Sequence, residues 1–264
     1  MTAPYDQARH SVRLEWGPTG GQAVATGATF AVVVDVLSFT TTLSVAADLG
    51  IEVLPYRWQD DGAAAYARDH DAVLALGRRE AAALGEGAAS LSPGSLRSAA
   101  GLRRLVLPSP NGSAISFLLA DGGATVVGAS LRNAGAVASW LAERLREEPG
   151  GTVAVVAAGE RWPDGSLRPA VEDLLGAGAV VAGLDQEGVS GASPEAALAA
   201  AAYRTSQPRL RETLLACTSG QELVGRGFAS DVEVAAERDV SAGVPVLDGG
   251  CFRPRTGSNP RPTG

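Results

Sequence analysis

Short apolar segments alternate with helix-like segments along most of this chain, and this rhythm restricts the possible folds more than any other feature. The apolar, β-branched run at 30–35 has the composition of a strand that is covered on both faces. A Ser/Thr-rich start precedes a predicted helix over 43–49, which Gly50 ends. Residues 51–56 form the next predicted strand. Repeated β-α-β units predict an α/β fold, a three-layer α/β/α arrangement around a mostly parallel but mixed sheet.

The same rhythm continues past the middle of the chain and then becomes helical. We predict further strands over 72–76, 104–107, 124–127 and 152–157, and further helices over 60–68, 113–120, 132–147 and 170–182. Loops are predicted over 85–95 and 160–169. The C-terminal part is predicted to be helical over 194–203, 208–216 and 220–227. Residues 228–247 are expected to add one or two strands at the sheet edge. We expect one domain over 1–250, with two fused lobes as the alternative, and a disordered tail over 251–264.

The basic residues are unusual because all 22 are Arg and none is Lys. The chain therefore has no lysine for a P-loop or for Schiff-base chemistry. With only His10 and His70, neither a multi-histidine zinc site nor a Ser-His-Asp triad is expected. The two cysteines, Cys217 and Cys251, are too few for a disulfide framework or a Cys-rich metal site.

Charge and hydropathy exclude two classes of partner. The 29 acidic residues give a net charge of −7, whereas nucleic-acid-binding proteins carry a basic surface. No run of 18 or more apolar residues predicts a membrane-spanning helix, and the polar segment 1–13 lacks the apolar core of a signal peptide. We therefore expect a cytoplasmic protein that binds neither nucleic acid nor a membrane.

Polar residues at predicted strand ends are the candidates for chemistry, because ligands of open α/β sheets bind beyond the carboxyl ends of the strands. Asp35 ends the first strand and could ligate Mg²⁺, which prefers oxygen ligands; alternatively, it caps the next helix or pairs with an Arg. Glu172 and Asp173 begin an apolar helix and could hold a metal or act as acid and base. Their alternative role is to place favourable charge in the first turn of that helix.

Two further segments could bind an anion. Asn111, Gly112 and Ser113 follow a strand and open a helix, whose free N–H groups suit a phosphate; an ordinary Asn-Gly turn is the alternative. Arg78 and Arg79 follow another strand, and one arginine of this pair could bind a phosphate or a sulfonate while the other stays solvated. An acidic protein needs such a local positive patch to bind an anionic substrate.

Five short motifs, in their order and spacing, give the chain a resemblance to the 2-phosphosulfolactate phosphatase family that covers most of its length. The motifs are Val32-Val-Val-Asp-Val-Leu37 with Thr40-Thr-Thr42, Pro110-Asn-Gly-Ser113, Gly128-Ala-Ser-Leu-Arg-Asn133, Val155-Val-Ala-Ala-Gly159 with Glu172-Asp-Leu-Leu-Gly-Ala-Gly178, and Gly220-x-x-Leu-x-x-x-Gly-Phe-x-x-Asp231 followed by Val244-Pro-Val-Leu247. The resemblance implies a Mg²⁺-dependent enzyme of coenzyme M biosynthesis that hydrolyses 2-phosphosulfolactate to sulfolactate and phosphate.

Taken with the candidates above, the resemblance implies a role for individual residues. Asp35, Glu172 and Asp173 would bind Mg²⁺ and supply acid–base catalysis. The residues expected to bind the phospho-acid substrate are Arg79, Ser92, Asn111, Gly112, Ser113 and Asn133. The attacking group would be metal-bound water or a side chain such as Ser113 or Asp35.

A second hypothesis is a non-catalytic relative that binds an anionic metabolite. It is motivated by departures from the family pattern at Ser38, Arg78 and Leu91. The Ala-rich helical segments at 63–67 and 196–202 could also pack against a second copy of the chain and give a homodimer, although packing within one chain explains them equally well.

Overall fold

The computed structural model describes residues 3–57, 62–84, 89–99 and 101–256. The strands are β1 (Val12–Trp16), β2 (Phe30–Val34), β3 (Glu52–Tyr56), β4 (Val73–Leu74), β5 (Arg104–Pro108), β6 (Thr125–Ala129), β7 (Val153–Ala157), β8 (Glu160–Arg161), β9 (Leu167–Arg168), β10 (Gly243–Asp248) and β11 (Cys251–Thr256). The α-helices are α1 (Gly17–Ala25), α2 (Phe39–Asp48), α3 (Gly62–Asp69), α4 (Arg78–Leu84), α5 (Pro93–Leu96), α6 (Gly112–Asp121), α7 (Ala134–Glu147), α8 (Val171–Gln186), α9 (Pro194–Ser206), α10 (Leu210–Ala216), α11 (Thr218–Gly225) and α12 (Ala229–Ala235).

Nine of these strands form one mixed sheet in the order β1-β7-β2-β6-β10-β11-β3-β5-β4. The pairs on either side of β2 are parallel, and so are the pairs of β5 with β3 and β4. Alternate side chains of β2 enter two different cores. Val32 and Val34 pack with the helices α7 to α12, whereas Ala31 and Val33 pack with α1, α2 and α6. The structure thus confirms the predicted three-layer α/β/α fold with a helical C-terminal part.

The last two strands correct a sequence-based expectation. Residues 228–247 were expected to add strands at the edge of the sheet, but β10 and β11 lie in its centre, between β6 and β3. They form an antiparallel hairpin, which meets each neighbour through a single residue pair, Val246 with Val127 and Phe252 with Val53. An apolar pattern predicts that a strand is buried. It does not determine the strand's position in the sheet order.

The two ends of the chain also differ from expectation. The sequence patterns predict no element before residue 30, yet β1 pairs in parallel with β7 and α1 follows it. Arg13 makes β1 look polar, but it is buried and donates to the carbonyl oxygens of Val24 (3.1 Å) and Thr26 (3.2 Å). At the other end of the chain, residues 251–256 of the expected disordered tail form β11 and belong to the sheet. The rest of that tail, 257–264, lies outside the described ranges, as do residues 85–88 of the predicted loop.

The Ala-rich segment at 196–202 packs within the chain. It belongs to α9, whose Ala196, Ala199 and Ala200 are buried. At Gly178 of α8, an added Cβ would lie 2.1 Å from the carbonyl oxygen of Ala199, so a larger residue would separate the two helices. A homodimer remains a prediction. No helix in the described ranges is both long and apolar enough to cross a membrane.

Candidate active site

A cavity of about 660 Å³ lies where the chain leaves β2, β5 and β7. Asp35 follows β2, Ser109 to Asn111 follow β5, and Glu160 begins β8 just after β7. The first turn of α11 forms part of the wall. The charged residues that line the cavity are Asp35, Glu160, Glu222, Arg78, Arg161, Arg168 and Arg226. Carboxylates and guanidinium groups therefore share one cavity, although the chain as a whole is acidic.

Asp35 is held by backbone N–H groups from two segments. Its Oδ1 accepts from Phe39 (3.3 Å) at the start of α2, and its Oδ2 accepts from Gly112 (3.0 Å) at the start of α6. Asp35 therefore caps α2, which is the alternative role considered from the sequence, and it also lines the cavity. Burial raises the pKa of Asp35 to about 6; the two N–H groups lower this pKa, and the charge of Glu172 raises it.

The close approach of α6 to Asp35 requires glycine at position 112. An added Cβ would lie 2.2 Å from Cδ1 of Phe39 and 2.8 Å from Oδ2 of Asp35. The start of α2 is fixed in turn by threonine hydroxyl groups, since Thr40 donates to the carbonyl oxygen of Asp35 (2.8 Å) and Thr41 to that of Val36 (2.7 Å). These local contacts explain why the motifs around 35–42 and 110–113 meet.

Asp173 joins two of the strand ends. It lies buried in the first turn of α8, where its Oδ1 accepts from the N–H of Val36 (2.7 Å) and its Oδ2 accepts from that of Gly159 (2.8 Å). Burial raises its pKa well above the usual value for an aspartate, and the charges of Glu172 and Asp35 add to this effect. Asp173 therefore connects the end of β2 to the end of β7.

Glu172 is buried next to this carboxylate and does not line the cavity. Its Oε2 accepts from the thiol of Cys217 (3.3 Å). Burial, with the charge of Glu172, raises the pKa of Cys217 to about 12. This thiol is therefore protonated at neutral pH and is not a nucleophile.

Glu160 is a cavity residue that the sequence analysis did not select. Its Oε2 accepts from Nδ2 of Asn111 (3.3 Å), and Nε of Arg161 donates to Oδ1 of the same Asn111 (3.3 Å). Burial, together with the charges of Asp35 and Glu172, raises the pKa of Glu160 to about 7. A carboxyl group with this pKa can both donate and accept a proton near neutral pH. Its position directly after an apolar strand was the available signal.

The arginine pair at 78–79 separates in the structure. Arg78 lines the cavity, while Arg79 is exposed on α4 and does not line it. Nε of Arg78 donates to Oδ2 of Asp231 (2.6 Å), and the guanidinium lies over the ring of Phe228, with Cζ 5.7 Å from its centroid. The family resemblance implied Arg79 for substrate binding, but Arg78 is the member of the pair that lines the cavity.

Several residues expected to bind substrate make contacts within the protein instead. The Gly112 N–H donates to Asp35 and to Oγ of Ser109, and the buried Ser113 hydroxyl donates to the carbonyl oxygen of Leu107 (3.2 Å). The buried side chain of Asn133 accepts from the Ser130 N–H and donates to the carbonyl oxygen of Gly243. Ser92 caps α5 and donates to Asp231. Among the residues selected for substrate binding, Asn111 is the one that lines this cavity.

Further parts of the cavity wall come from α11 and from the β8–β9 pair. Arg168 pairs with Glu222 (3.2 Å) and lies over the ring of Trp162, with Cζ 5.7 Å from its centroid. Ser219, in the first turn of α11, has a buried Oγ without a hydrogen-bond partner among the described residues. Such an orphaned hydroxyl is unusual in a folded protein. It could donate to a bound ligand.

The carboxylates near the cavity agree in chemistry with a bound Mg²⁺. Burial and mutual repulsion raise the pKa of Asp35, Glu160 and Asp173, and a divalent cation would relieve this excess of negative charge. In the described ranges, no group of three or more His, Cys, Asp or Glu side chains could hold a metal ion together. Mg²⁺ is commonly bound by one or two carboxylates, with water and substrate phosphate as the other ligands. Both oxygens of Asp35 and of Asp173 accept backbone hydrogen bonds, but each carboxylate oxygen keeps a further lone pair. Asp35, which lines the cavity, and Glu172, which accepts from the Cys217 thiol and from no backbone N–H among the described residues, are the pair that could serve.

The comparison with known families agrees with this cavity of carboxylates and arginines. A family model described as 2-phosphosulpholactate phosphatase matches residues 21–250, and so covers Asp35, Asn111, Glu160 and Glu172. Enzymes of this description are phosphoric monoester hydrolases. The chain belongs to the 2-phosphosulpholactate phosphatase family.

Proposed function

We propose that this chain is a Mg²⁺-dependent phosphatase that acts on a small anionic 2-phospho-acid and hydrolyses 2-phosphosulfolactate to sulfolactate and phosphate. One observation carries the proposal: Asp35 and Glu160, with pKa values near neutrality, line the same cavity as Arg78, Arg161, Arg168 and Arg226. Phosphoryl transfer needs positive groups around the phosphate and a proton for the leaving oxygen. This cavity contains both.

The arginines would divide the charges of the substrate between them. Arg78, which donates to Ser38 just before α2, and Asn111, which precedes the Gly112 N–H that donates to Asp35, would bind the phosphoryl oxygens. Arg168 lies in β9, Ser219 lies in the first turn of α11, and Arg226 directly follows α11. We propose that these two arginines bind the carboxylate or the sulfonate, together with the Ser219 hydroxyl, which has no hydrogen-bond partner among the described residues. Arginine suits both because its guanidinium donates two parallel hydrogen bonds to such groups.

Glu160 would supply the proton. Its protonated carboxyl donates to the ester oxygen as the phosphorus–oxygen bond breaks, and the resulting carboxylate takes up the proton of the water that has added to phosphorus. The products are a 2-hydroxy acid and inorganic phosphate. Mg²⁺, held by Asp35 and Glu172, would polarise the phosphoryl oxygens when it is bound. Ser113 is not proposed as the nucleophile, because its hydroxyl is buried and bonded to Leu107.

Purified protein incubated with a panel of phospho-acids tests this proposal. The panel contains 2-phosphosulfolactate, 2-phospholactate, 2-phosphoglycerate and 3-phosphoglycerate, and released phosphate is measured with Mg²⁺ and with EDTA. We expect release from 2-phospho-acids with Mg²⁺, loss of release with EDTA, and recovery when Mg²⁺ is restored. Thermal stabilisation by these compounds without phosphate release would favour the non-catalytic relative, and release undiminished by EDTA would remove the metal from the mechanism.

The pKa of Glu160 predicts a pH dependence. Glu160 must be protonated to act as an acid, and its pKa is about 7, so kcat/KM should be high below pH 7 and fall tenfold per pH unit well above it. Glu160→Gln should remove this decline and lower kcat by about 100-fold or more. The measurement is the pH profile of kcat/KM for both proteins, with Glu195→Gln at an exposed position as the control. An unchanged basic limb in Glu160→Gln would assign the proton to another group.

A further inference from the structure

Asp231 is the buried charge that the proposed mechanism leaves unexplained. It lies in α12, outside the cavity lining, and its side chain has no exposed surface. A fully buried carboxylate is costly unless it is paired and hydrogen-bonded. Asp231 ends the motif Gly220-x-x-Leu-x-x-x-Gly-Phe-x-x-Asp231, to which the sequence analysis assigned no role.

The partner of Asp231 is the cavity arginine. Nε of Arg78 donates to Oδ2 of Asp231 at 2.6 Å, and charge-assisted hydrogen bonds of this kind are shorter than neutral ones. Phe228, three residues earlier in the motif, presents its ring to the same guanidinium. Gly227 has a φ of +87°, which lets the chain turn between α11 and α12 immediately before Phe228. The motif thus surrounds one side of Arg78.

Asp231 also holds the segment that follows Arg78. Its Oδ1 accepts from the hydroxyl of Ser92, whose Oγ accepts in turn from the N–H of Ser95 and caps α5. At Gly94, an added Cβ would lie 3.3 Å from this Oδ1. One carboxylate therefore fixes the start of α4 and the start of α5, on the two sides of residues 85–88.

We infer that Asp231 is a positioning residue, which fixes the guanidinium of Arg78 on the cavity wall for an anionic group of the substrate. Arg78 is joined to the cavity on its other side by a hydrogen bond from Nη2 to Oγ of Ser38. Asp231 acts through Arg78 and does not touch the substrate. The inference rests on the proposed phosphatase function for its effect on turnover, but the Arg78–Asp231 pairing is measurable without any substrate.

The first experiment measures the pairing directly. In a ¹⁵N–¹H spectrum of arginine side chains, the Nε–H of Arg78 should be shifted downfield and exchange slowly with water; the signal is assigned by its absence in Arg78→Lys. In Asp231→Asn the Nε–H signal of Arg78 should lose its downfield shift and should exchange rapidly with water. An unchanged signal would overturn the inference, whether or not the protein is a phosphatase.

The second experiment is a double-mutant cycle on phosphate binding and on kcat/KM. Asp231→Asn should weaken the binding of inorganic phosphate and lower kcat/KM by about 100-fold, mostly through KM, because a displaced binding group has effects of this order. In an Arg78→Ala background, Asp231→Asn should have no further effect. Additive losses would mean that Asp231 acts through the stability of the fold and would overturn the inference.

Two further variants keep the test decisive. Glu233→Gln changes an exposed carboxylate of the same helix, which pairs with Arg211, and should leave phosphate binding and turnover unchanged. If Asp231→Asn does not fold, Arg78→Lys replaces it, since lysine keeps the charge but lacks the Nε–H. Arg78→Lys should then be as impaired as Arg78→Ala, and full activity would overturn the inference. Wild-type protein that retains the Nε–H signal but neither binds nor releases phosphate would refute the phosphatase proposal alone.

Discussion

Replacing Asp35 with Asn is expected to reduce phosphate release by at least about 1,000-fold, which corresponds to the several kcal/mol that a metal-binding carboxylate supplies in phosphoryl transfer. The substitution removes the negative charge at the end of β2 but keeps the shape of the side chain. The measurement is kcat/KM for the best substrate of the panel at saturating Mg²⁺. The control is Asp121→Asn at the exposed end of α6, which should stay within about twofold of wild type.

The same substitution should leave the fold intact, and this separates a catalytic role from a structural one. Burial raises the pKa of Asp35 from 3.8 in its unperturbed state to about 6, so the folded protein loses stability as the pH rises through this interval. Above pH 6 the full penalty, about 3 kcal/mol, applies to wild type. Asn has no such penalty, but its amide group accepts only one of the two backbone hydrogen bonds, at a cost of about 1–3 kcal/mol.

These two effects offset each other at neutral pH, so metal-free thermal unfolding at pH 7.5 should give similar melting temperatures for Asp35→Asn and wild type. At pH 4 the variant should be the less stable of the two, because the wild-type carboxyl is then protonated and has no penalty. Retained full activity in Asp35→Asn would remove Asp35 from the proposed metal site. Lost activity together with a melting temperature lowered at pH 7.5 would instead indicate a role in holding α2 and α6.

Replacing Asp173 with Ala is expected to have the largest effect on stability. Two buried N–H groups, of Val36 and Gly159, would lose their acceptor. Each unsatisfied buried group costs about 1–3 kcal/mol, so the loss should be about 3 kcal/mol or more. The ends of β2 and β7 would also lose their connection, which should lower kcat/KM by about 100-fold through displacement of Asp35 and Glu160.

Urea unfolding at pH 7.5 measures this loss. Asp185→Asn, at an exposed position near the other end of α8, is the control and should change the free energy of unfolding by less than about 0.5 kcal/mol. Asp173→Asn should lie between the control and Asp173→Ala, because one of its two polar atoms still accepts. A variant Asp173→Ala as stable as wild type, with activity lost, would return Asp173 to the metal-binding role expected from the sequence.

Residues close in sequence could be interpreted without the structure. The buried strand β2, the turn at Gly50 and the helix that starts at Gly112 follow from local patterns, because backbone conformation depends on neighbouring side chains. The same holds for Asp35 and Asn111 as cavity residues, since Asp35 directly follows β2 and Asn111 lies in the short segment between β5 and α6. Their meeting at one cavity also agrees with the rule for open α/β sheets.

Local sequence patterns could not show which of two adjacent or similar residues takes part in the cavity. Arg78 and Arg79 are adjacent in the chain, and Arg78 is distinguished by its hydrogen bond to Asp231, which is 153 positions away. Glu160 follows a strand as Asp35 does, but its pKa depends on charges contributed by other elements. Asp173 and Asn133 are polar residues at helix starts, yet each uses its side chain to hold backbone groups.

The sequence by itself determined the α/β class, the exclusion of lysine-based and multi-histidine chemistry, and the family. These depend on local periodicity, on composition and on short motifs. Only the tertiary structure decided that the β10–β11 hairpin lies within the sheet, that Arg78 rather than Arg79 reaches the cavity, and that Asp173 and Ser113 make internal contacts. The physical reason is that sheet order, burial and pKa depend on contacts between different elements, such as Asp173 with Val36 and Arg78 with Asp231, which are more than 100 positions apart. No local pattern records which group of another element a side chain will meet.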